Sequence, residues 1–206
     1  MRSWAIIVAA GSGNRFGGLK QFESLGTKRV VDWAIETACS ACDGVVVVVP
    51  DGQIAQPGEV TGGATRSQSV RNGLAVVPDD VDVILVHDGA RPFASATIFA
   101  DVIAAVRGGA DGAVPGVPVT DTIKQVTAEG VVVTTPDRSR LVAVQTPQAF
   151  SAAVLRRAYA GGREGTDDAA VVEAVGAHVV VVSGEPENRK ITLPDDLSWA
   201  RDRIGH

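Results

Sequence analysis

The sequence is poor in cysteine, histidine and aromatic side chains. Of its 206 residues, two are cysteine, three are histidine and 4% are aromatic. The cysteines, Cys39 and Cys42, form a single C-x-x-C pair, which supplies too few ligands for a structural zinc site without a second Cys or His pair nearby. We therefore expect both to pack as small residues on one face of a helix over residues 30–42. The histidines form no recognisable catalytic triad.

The sequence also lacks long hydrophobic runs and an excess of positive charge. No apolar segment reaches the ~20 residues of a membrane span, and the N-terminus has no signal-peptide pattern. The net charge of −5 argues against a general nucleic-acid binder. We expect a soluble, cytoplasmic protein that binds neither membrane nor nucleic acid. Any phosphate site must then be a local cationic patch.

The hydrophobic content, 45%, is sufficient for the core of one domain over residues 1–206. Apolar segments typical of buried strands, such as residues 45–49 and 81–86, alternate with helical patterns such as residues 95–107. This alternation predicts an α/β fold with a mostly parallel twisted sheet and helices on both faces. A further buried strand is expected at residues 178–182.

The alternation is interrupted at residues 120–140. Two strand-like segments, residues 121–126 and 131–134, flank the turn Ala128-Glu129-Gly130, which predicts an inserted β-hairpin. Two strands alone are marginally stable, so this hairpin must pack on something else. We expect residues 120–140 to form a protruding arm that joins two copies of the chain in a homodimer.

The segment most informative about function is the apolar run of residues 5–10 and the glycine-rich loop after it. Four glycines in residues 11–18 allow the backbone to approach a ligand and to point its N–H groups at it. Arg15 and Lys20 add two positive charges, which suits a polyphosphate. The pattern predicts a nucleoside-triphosphate site at the carboxyl end of the first strand. A purely structural strand-to-helix turn is the alternative.

Two common phosphate-binding patterns fail in this loop. The dinucleotide fingerprint G-x-G-x-x-G has Phe16 where its third glycine belongs, which disfavours an NAD-binding oxidoreductase. The P-loop pattern fails because Leu19 intervenes before Lys20, and Gln21 replaces the metal-binding hydroxyl.

Two further segments carry candidate side chains. Residues 62–70 open a helix with two glycines followed by hydroxyl and amide groups, which can bind a base or a phosphate or simply cap the helix. Asp88 follows a buried strand, where open α/β sheets bind ligands. It could hold ribose hydroxyls, hydroxyls of an acceptor or Mg²⁺, or serve only in an Asp-Gly turn. We expect His87 to be structural rather than a general base.

Together these motifs resemble the sugar-phosphate nucleotidyltransferases, and most of all the 2-C-methyl-D-erythritol 4-phosphate cytidylyltransferase family. The resemblance runs from residue 5 to about residue 197. The matching motifs are A-A-G-x-G-x-R with Lys20-Gln21, G-G-x-x-R-x-x-S-V at 62–70, V-H-D-x-A-R-P at 86–92, T-P-Q at 146–148 and E-N-x-K-I-T at 187–192. The chain departs from the family at Leu19, where the family has proline, and in a shorter loop between Arg15 and Lys20.

The resemblance implies a Rossmann-like three-layer fold and a reaction. In the reaction, cytidylyl passes from CTP to 2-C-methyl-D-erythritol 4-phosphate, which yields 4-diphosphocytidyl-2-C-methyl-D-erythritol and pyrophosphate for non-mevalonate isoprenoid synthesis. A ribitol 5-phosphate cytidylyltransferase shares most of these motifs and remains the alternative. A non-catalytic nucleotide-binding module is less favoured, because it has no need to keep Arg15, Lys20, Asp88 and Lys190 together.

The resemblance also implies roles for individual residues. The catalytic candidates are Arg15, Lys20, Arg138 and Lys190. The expected CTP contacts are Ala9, Ala10, Gly11, Gly13, Gly63, Arg66, Ser69, Gly89 and Thr146. The expected acceptor contacts are Asp88, Arg91, Thr122, Arg138 and Lys190. Mg²⁺, or another divalent cation, would be held mainly by the CTP phosphates, with Asp88 as the candidate protein ligand. Thr122 and Arg138 lie on the arm and would complete the neighbouring subunit's site.

Overall fold

The computed structural model describes residues 1–53 and 58–205, and its centre is an eight-stranded sheet. The strands are β1 (Ser3–Val8), β2 (Ser24–Leu25), β3 (Lys28–Arg29), β4 (Gly44–Val49), β5 (Glu59–Thr61), β6 (Val83–Asp88), β7 (Gly112–Pro118), β8 (Gln125–Val126), β9 (Val132–Thr134), β10 (Val142–Val144), β11 (Gln148–Ser151) and β12 (Val179–Ser183). The helices are α1 (Val30–Ala41), α2 (Arg66–Leu74), α3 (Ala96–Arg107), α4 (Ala152–Ala160), α5 (Asp168–Glu173) and α6 (Pro194–Ile204).

The sheet runs in the order β10-β7-β11-β6-β1-β4-β5, and β12 also pairs with β7. Strand β1 lies between β4 and β6 and is parallel to both. Its side chains alternate between two hydrophobic layers, because successive residues of a strand point to opposite faces. Ile6 packs in the layer that holds Leu155 of α4, and Ile7 packs in the layer that holds Phe99 of α3. The α/β fold with helices on both faces is confirmed.

Two strands of the sheet do not run parallel to their neighbours. Strand β10 is antiparallel to β7. Strand β11 lies between β6 and β7 and is antiparallel to both. The chain between residues 142 and 151 forms two strands, β10 and β11, separated by a cis Thr146–Pro147 bond. The direction of β11 is set by its pairing with β6 and β7, which are distant in sequence, so no local pattern in its four residues predicts it.

The two cysteines do not share one packed helix face as predicted, because α1 ends at Ala41 and Cys42 follows it in extended backbone. Cys42 is partly buried against the core that contains α1 and α3, whereas Cys39 is exposed on α1. Both are free thiols. Burial raises the pKa of the Cys42 thiol to about 12, so it is protonated and unreactive at neutral pH.

The predicted hairpin is present as β8 and β9, which form a separate two-stranded sheet. Residues 121–135 are all exposed, including Val131, Val132 and Val133 at 62%, 54% and 60%. Three adjacent exposed valines are unusual on a surface that faces water alone. In the described part of the chain, no helix is both long and apolar enough to cross a membrane.

Candidate active site

A cavity of about 490 Å³ opens at the carboxyl ends of β1 and β6. It brings together three parts of the chain that are far apart in sequence: the glycine loop, the start of α2, and the segment before α6. Its lining includes the side chains of Arg15, Lys20, Gln21, Arg66, Ser69, Asp88 and Lys190. Of the residues expected to bind CTP, it includes Ala9, Ala10, Gly11, Gly13, Gly63, Arg66 and Ser69.

The glycine loop is anchored by Gln21, a residue of the matching motif to which the sequence analysis gave no contact of its own. The Gln21 amide is buried and donates hydrogen bonds to the carbonyls of Ala9 at 2.7 Å and Gly11 at 3.0 Å. Gly13 has φ +68°, and a Cβ there would lie 1.7 Å from the Gly18 carbonyl oxygen. Only glycine can occupy position 13, because any side chain there would clash with the Gly18 carbonyl.

The loop leaves its leading backbone donors free. The N–H groups of Phe16 and Gly17 donate to the Gly13 carbonyl at 2.8 and 2.9 Å. In contrast, no N–H of residues 10–15 donates to a backbone acceptor within the part of the chain that the structure describes. Consecutive free N–H groups at the end of a strand form a concavity that favours an anion.

Lys20 also lines the cavity and begins a short 3₁₀ helix, Lys20–Phe22. Burial lowers the pKa of its ammonium group, and the neighbouring charges of Lys190 and Arg15 lower it further. These three cations therefore repel one another across the cavity. A bound polyanion would relieve that repulsion, which is the electrostatic condition expected of a phosphate site.

Asp88 is the carboxylate around which the cations gather. Its side chain is 11% exposed, and Lys190 Nζ lies 2.8 Å from Oδ2. Arg66 Nη2 lies 3.6 Å from Oδ1 and Arg91 Nε lies 3.7 Å from Oδ2. Burial opposes ionisation of Asp88, but the charges of Lys190, Arg66 and Arg91 outweigh it and hold the pKa of the carboxyl well below its usual range.

The donor set fits Mg²⁺ only as a partner of a bound triphosphate. No group of three or more His, Cys, Asp or Glu side chains suited to a metal occurs within residues 1–53 and 58–205. Asp88 is a single carboxylate, and both of its oxygens already face cations. Mg²⁺ is commonly held by one or two carboxylates together with substrate phosphates, and one carboxylate is what this cavity offers.

Arg66 is held from behind by a carboxylate that the sequence did not single out. Its Nη2 lies 2.6 Å from Oδ2 of Asp168, whose side chain is fully buried at the start of α5. Burial opposes its charge, but Asp168 and Asp88 raise the pKa of Arg66 above its usual range. Its Nη1 is buried and has no acceptor among the described residues, an arrangement that costs about 1–3 kcal/mol unless a ligand supplies one.

The start of α2 forms the wall facing the glycine loop. The Ser69 hydroxyl accepts the Gly63 N–H at 3.0 Å and donates to the Thr65 carbonyl at 3.0 Å. A Cβ at Gly62 would lie 2.2 Å from the Cβ of Ala10, so glycine is what permits this close approach. Thr65 caps the helix, so the capping interpretation of this segment is correct and coexists with its place on the cavity wall.

Several predicted site residues lie behind the cavity rather than on it. The Thr146 hydroxyl accepts the Asp88 backbone N–H at 3.0 Å and contacts His87 Nδ1 at 2.9 Å. At Gly89, an added Cβ would lie 3.1 Å from side-chain atoms of Ala9 and Val31. Thr146 and Gly89 therefore fix the backbone that presents Asp88.

The segment that carries Lys190 is fastened to the end of β6. Asn188 is fully buried and donates from Nδ2 to the Thr146 carbonyl at 2.8 Å. Arg91 also lies outside the cavity lining, and its Nη1 donates to the Asn188 carbonyl at 2.7 Å. The Ile191 N–H bonds the Ala90 carbonyl at 2.8 Å. These bonds explain why the E-N-x-K-I-T and T-P-Q motifs occur together: one docks on the other.

The arm residues are not brought to the cavity of their own chain. Thr122 and Arg138 are exposed, and neither is part of the cavity lining. Arg138 starts a 3₁₀ helix (Arg138–Arg140), and its Nη1 donates to the Thr120 carbonyl at 2.6 Å.

Comparison with known proteins identifies the family of the chain. Residues 3–205 match the model of one family, described as IspD, 2-C-methyl-D-erythritol 4-phosphate cytidylyltransferase. The chain belongs to the IspD family. A 2-C-methyl-D-erythritol 4-phosphate cytidylyltransferase of Rhodococcus jostii is 46% identical over 212 residues, covering 96% of this chain and 92% of the relative.

Other relatives are longer proteins. A bifunctional IspD/IspF enzyme of Nitratidesulfovibrio vulgaris is 41% identical over 227 residues; the match covers 96% of this chain but 57% of that enzyme's length. Among solved structures, a 2-C-methyl-D-erythritol 4-phosphate cytidylyltransferase of Thermus thermophilus superimposes with a TM-score of 0.85 at 33% identity, covering all of both chains. The Rossmann-like α/β fold is thus shared with family members of known structure.

The buried His87 predicts a defined pH dependence of stability. Burial lowers the pKa of His87 to about 4, whereas the ordinary value is 6.5. Between these values the unfolded chain binds more protons than the folded one. The free energy of unfolding is therefore expected to fall by about 3 kcal/mol as the pH drops from about 6.5 to about 4.

Urea denaturation across this range measures the loss, with His87→Asn as the comparison because it removes the titrating ring. The variant is expected to be less stable at neutral pH and to show a flatter pH profile between about 6.5 and 4. Asp88, whose pKa is lowered, loses its contribution only below about pH 4 and does not obscure the comparison. Parallel profiles of the two proteins would show that His87 is not buried in its neutral form.

Proposed function

We propose that this protein transfers cytidylyl from CTP to 2-C-methyl-D-erythritol 4-phosphate, with release of pyrophosphate. The observation that carries the proposal is the convergence of Arg15, Lys20 and Lys190 on one cavity at the carboxyl end of β1. Membership of the IspD family gives the acceptor. The chain matches the Rhodococcus relative over nearly all of that protein's length, so the proposed activity needs no second domain.

The proposed nucleophile is the phosphate oxygen of the acceptor. A phosphate monoester has a second pKa near ~6 and is largely ionised at neutral pH, so no general base is needed. His87, which was expected to be structural, does not line the cavity, and burial lowers its pKa below its ordinary value. Catalysis then consists of bringing two anions together in line and neutralising the charge that develops.

Arg15 and Lys20 are proposed to stabilise the α-phosphoryl transition state, with the free N–H groups of residues 10–15 holding the triphosphate. Lys190 is proposed to bind the acceptor phosphate, and Asp88 the acceptor hydroxyls. This requires Lys190 to exchange one anionic partner for another. Arg66 and Arg91 stay beside Asp88 and keep it ionised during that exchange.

We further propose that Mg²⁺ enters with CTP and is held mainly by its phosphates, with Asp88 as the protein ligand. Bound there, it would neutralise charge on the departing pyrophosphate. The cytoplasmic location expected from the sequence stays a prediction.

The homodimer is likewise proposed. Arg138 and Thr122 lie outside the cavity of their own chain, and the arm over residues 120–140 exposes adjacent valines. An arm that packs on a partner would bury those valines and carry the two polar side chains to the partner's cavity.

Pyrophosphate release in the presence of CTP and Mg²⁺ tests the proposed reaction. We expect release with 2-C-methyl-D-erythritol 4-phosphate and little with ribitol 5-phosphate. The reverse preference would assign the chain to the alternative acceptor. Failure with both acceptors, combined with no rise in melting temperature on adding CTP, would reject nucleotidyl transfer.

Lys20→Ala is expected to lower kcat by about 10²–10³-fold, because it removes a preorganised positive charge from the transition state. Lys28→Ala is the matched control. Lys28 pairs with Glu36 and lies over the ring of Trp33, outside the cavity. Its loss should leave kcat within about twofold. Equal kcat values for the two variants would remove Lys20 from the proposed chemistry.

Arg138→Ala is expected to raise the acceptor KM and lower turnover while leaving CTP binding intact. Subunit mixing tests whether the arm serves the neighbour. Arg138→Ala and Lys20→Ala homodimers are each poorly active, but a mixed dimer contains one site with both side chains. Random exchange makes about half of the dimers mixed, so about a quarter of wild-type activity should return. Without any recovery, Arg138 would have to act within its own subunit or outside the site.

A further inference from the structure

Behind the cavity wall lies Asp168, a carboxylate that pairs with Arg66 but is not part of the cavity lining. Asp168 is the first residue of α5, and its side chain is fully buried. Oδ2 faces Arg66 Nη2 at 2.6 Å, and Oδ1 accepts the hydroxyl of Tyr159 at 2.6 Å. Tyr159 itself is buried in α4. A chain of contacts therefore runs from α4 through Asp168 to a guanidinium on the cavity wall.

This contact decides where the Arg66 side chain can lie. Its other carboxylate partner is Asp88, whose nearest oxygen is 3.6 Å away and which also faces Lys190 at 2.8 Å. An arginine side chain has several rotatable bonds and no fixed position without a partner. The closer ion pair with Asp168 keeps the guanidinium from moving toward Asp88.

A helix-capping role does not account for the burial of Asp168. The cap of α5 is the preceding residue, Asp167, whose Oδ1 accepts the Ala170 N–H at 2.9 Å. The other oxygen of Asp167 accepts from Gln148 Nε2 at 2.9 Å. Two adjacent aspartates at one helix start thus have separate tasks, one toward the helix and one toward Arg66.

We propose that Asp168, held in place by Tyr159, is a positioning residue that fixes Arg66 on the cavity wall for CTP binding. This inference rests on the proposed function, because it takes CTP as the occupant of the cavity. Asp168 acts only through Arg66 and does not touch the nucleotide. With a neutral residue at position 168, Arg66 is drawn to Asp88 and the CTP site loses a fixed donor.

Calorimetric titration with CTP tests the proposal on four proteins: the wild type, Asp168→Asn, Tyr159→Phe and the matched control Asp167→Asn. We expect Asp168→Asn to weaken CTP binding by about tenfold or more, since a charged hydrogen-bond donor is displaced. Tyr159→Phe should weaken it in the same direction by a smaller factor. Asp167→Asn keeps a side chain of equal capping strength, so it should change the melting temperature little and leave the CTP Kd within about twofold.

A double-mutant cycle separates positioning from general damage. In an Arg66→Ala background, adding Asp168→Asn should change the CTP Kd by less than about twofold, because the guanidinium through which Asp168 acts is absent. A tenfold loss that persists in that background would overturn the proposal. If Asp168→Asn fails to fold by circular dichroism, Tyr159→Phe carries the same comparison in both backgrounds.

CTP binding by the wild type distinguishes failure of the proposed function from failure of the positioning role of Asp168. If the wild-type protein does not bind CTP, the proposed function is rejected and this inference with it. If the wild type binds CTP and the folded Asp168→Asn variant binds equally well, only the positioning role is rejected.

Discussion

The site depends on one buried carboxylate that is ionised because cations from three separate segments surround it. Asp88 ends the central strand β6, Arg66 starts α2, Arg91 follows β6 and Lys190 lies just before α6. Leaving such a charge unpaired in a protein interior costs several kcal/mol, so each cation holds its own segment in place. Asp88 is therefore a fold-organising residue as well as a site residue, since the cavity exists only where these segments meet.

The same cluster sets the balance of charge in the cavity. Asp88 and Asp168 face Arg66, Arg91 and Lys190, while Arg15 and Lys20 have no carboxylate within salt-bridge distance among the described residues. The cavity therefore carries positive charge that no carboxylate neutralises. The lowered pKa of Lys20 is a consequence, because it sits partly buried beside two like charges. Positive charge held in advance is what a reaction between two anions needs, since it requires no reorganisation when the anions arrive.

Sequence patterns predicted the fold well where burial dictates composition. Buried parallel strands have apolar sequences, and β1, β4 and β6 could be predicted for that reason. The short edge strand β5, with three half-buried residues, carries no such pattern and was missed. The antiparallel insertion of β11 was missed because strand direction is set by pairing with strands distant in sequence, and a local pattern does not record it.

Candidate site residues could be named from the sequence where residue type alone implies chemistry, and several of them line one cavity. Glycines beside Arg15 and Lys20 imply a phosphate loop, and Asp88 follows a strand at the edge where ligands bind. Gln21 and Asp168 were not assigned their contacts, because their importance lies in partners distant in sequence. A buried glutamine and a surface glutamine look the same in a sequence, as do two adjacent aspartates with different tasks. The periodicity of a short helix such as α5 is too brief to separate them.

The net charge of the chain gives these contacts a further consequence. At −5, the protein as a whole does not attract polyanions, so any attraction of a nucleotide must come from the local positive charge of the cavity. Recognition must then come from short-range contacts in a cavity that exists only in the folded state. Arg66 is an example. Two carboxylates neutralise its charge, so it offers a ligand a directed N–H donor rather than net positive charge. A site built this way favours an anion of one shape over anions in general.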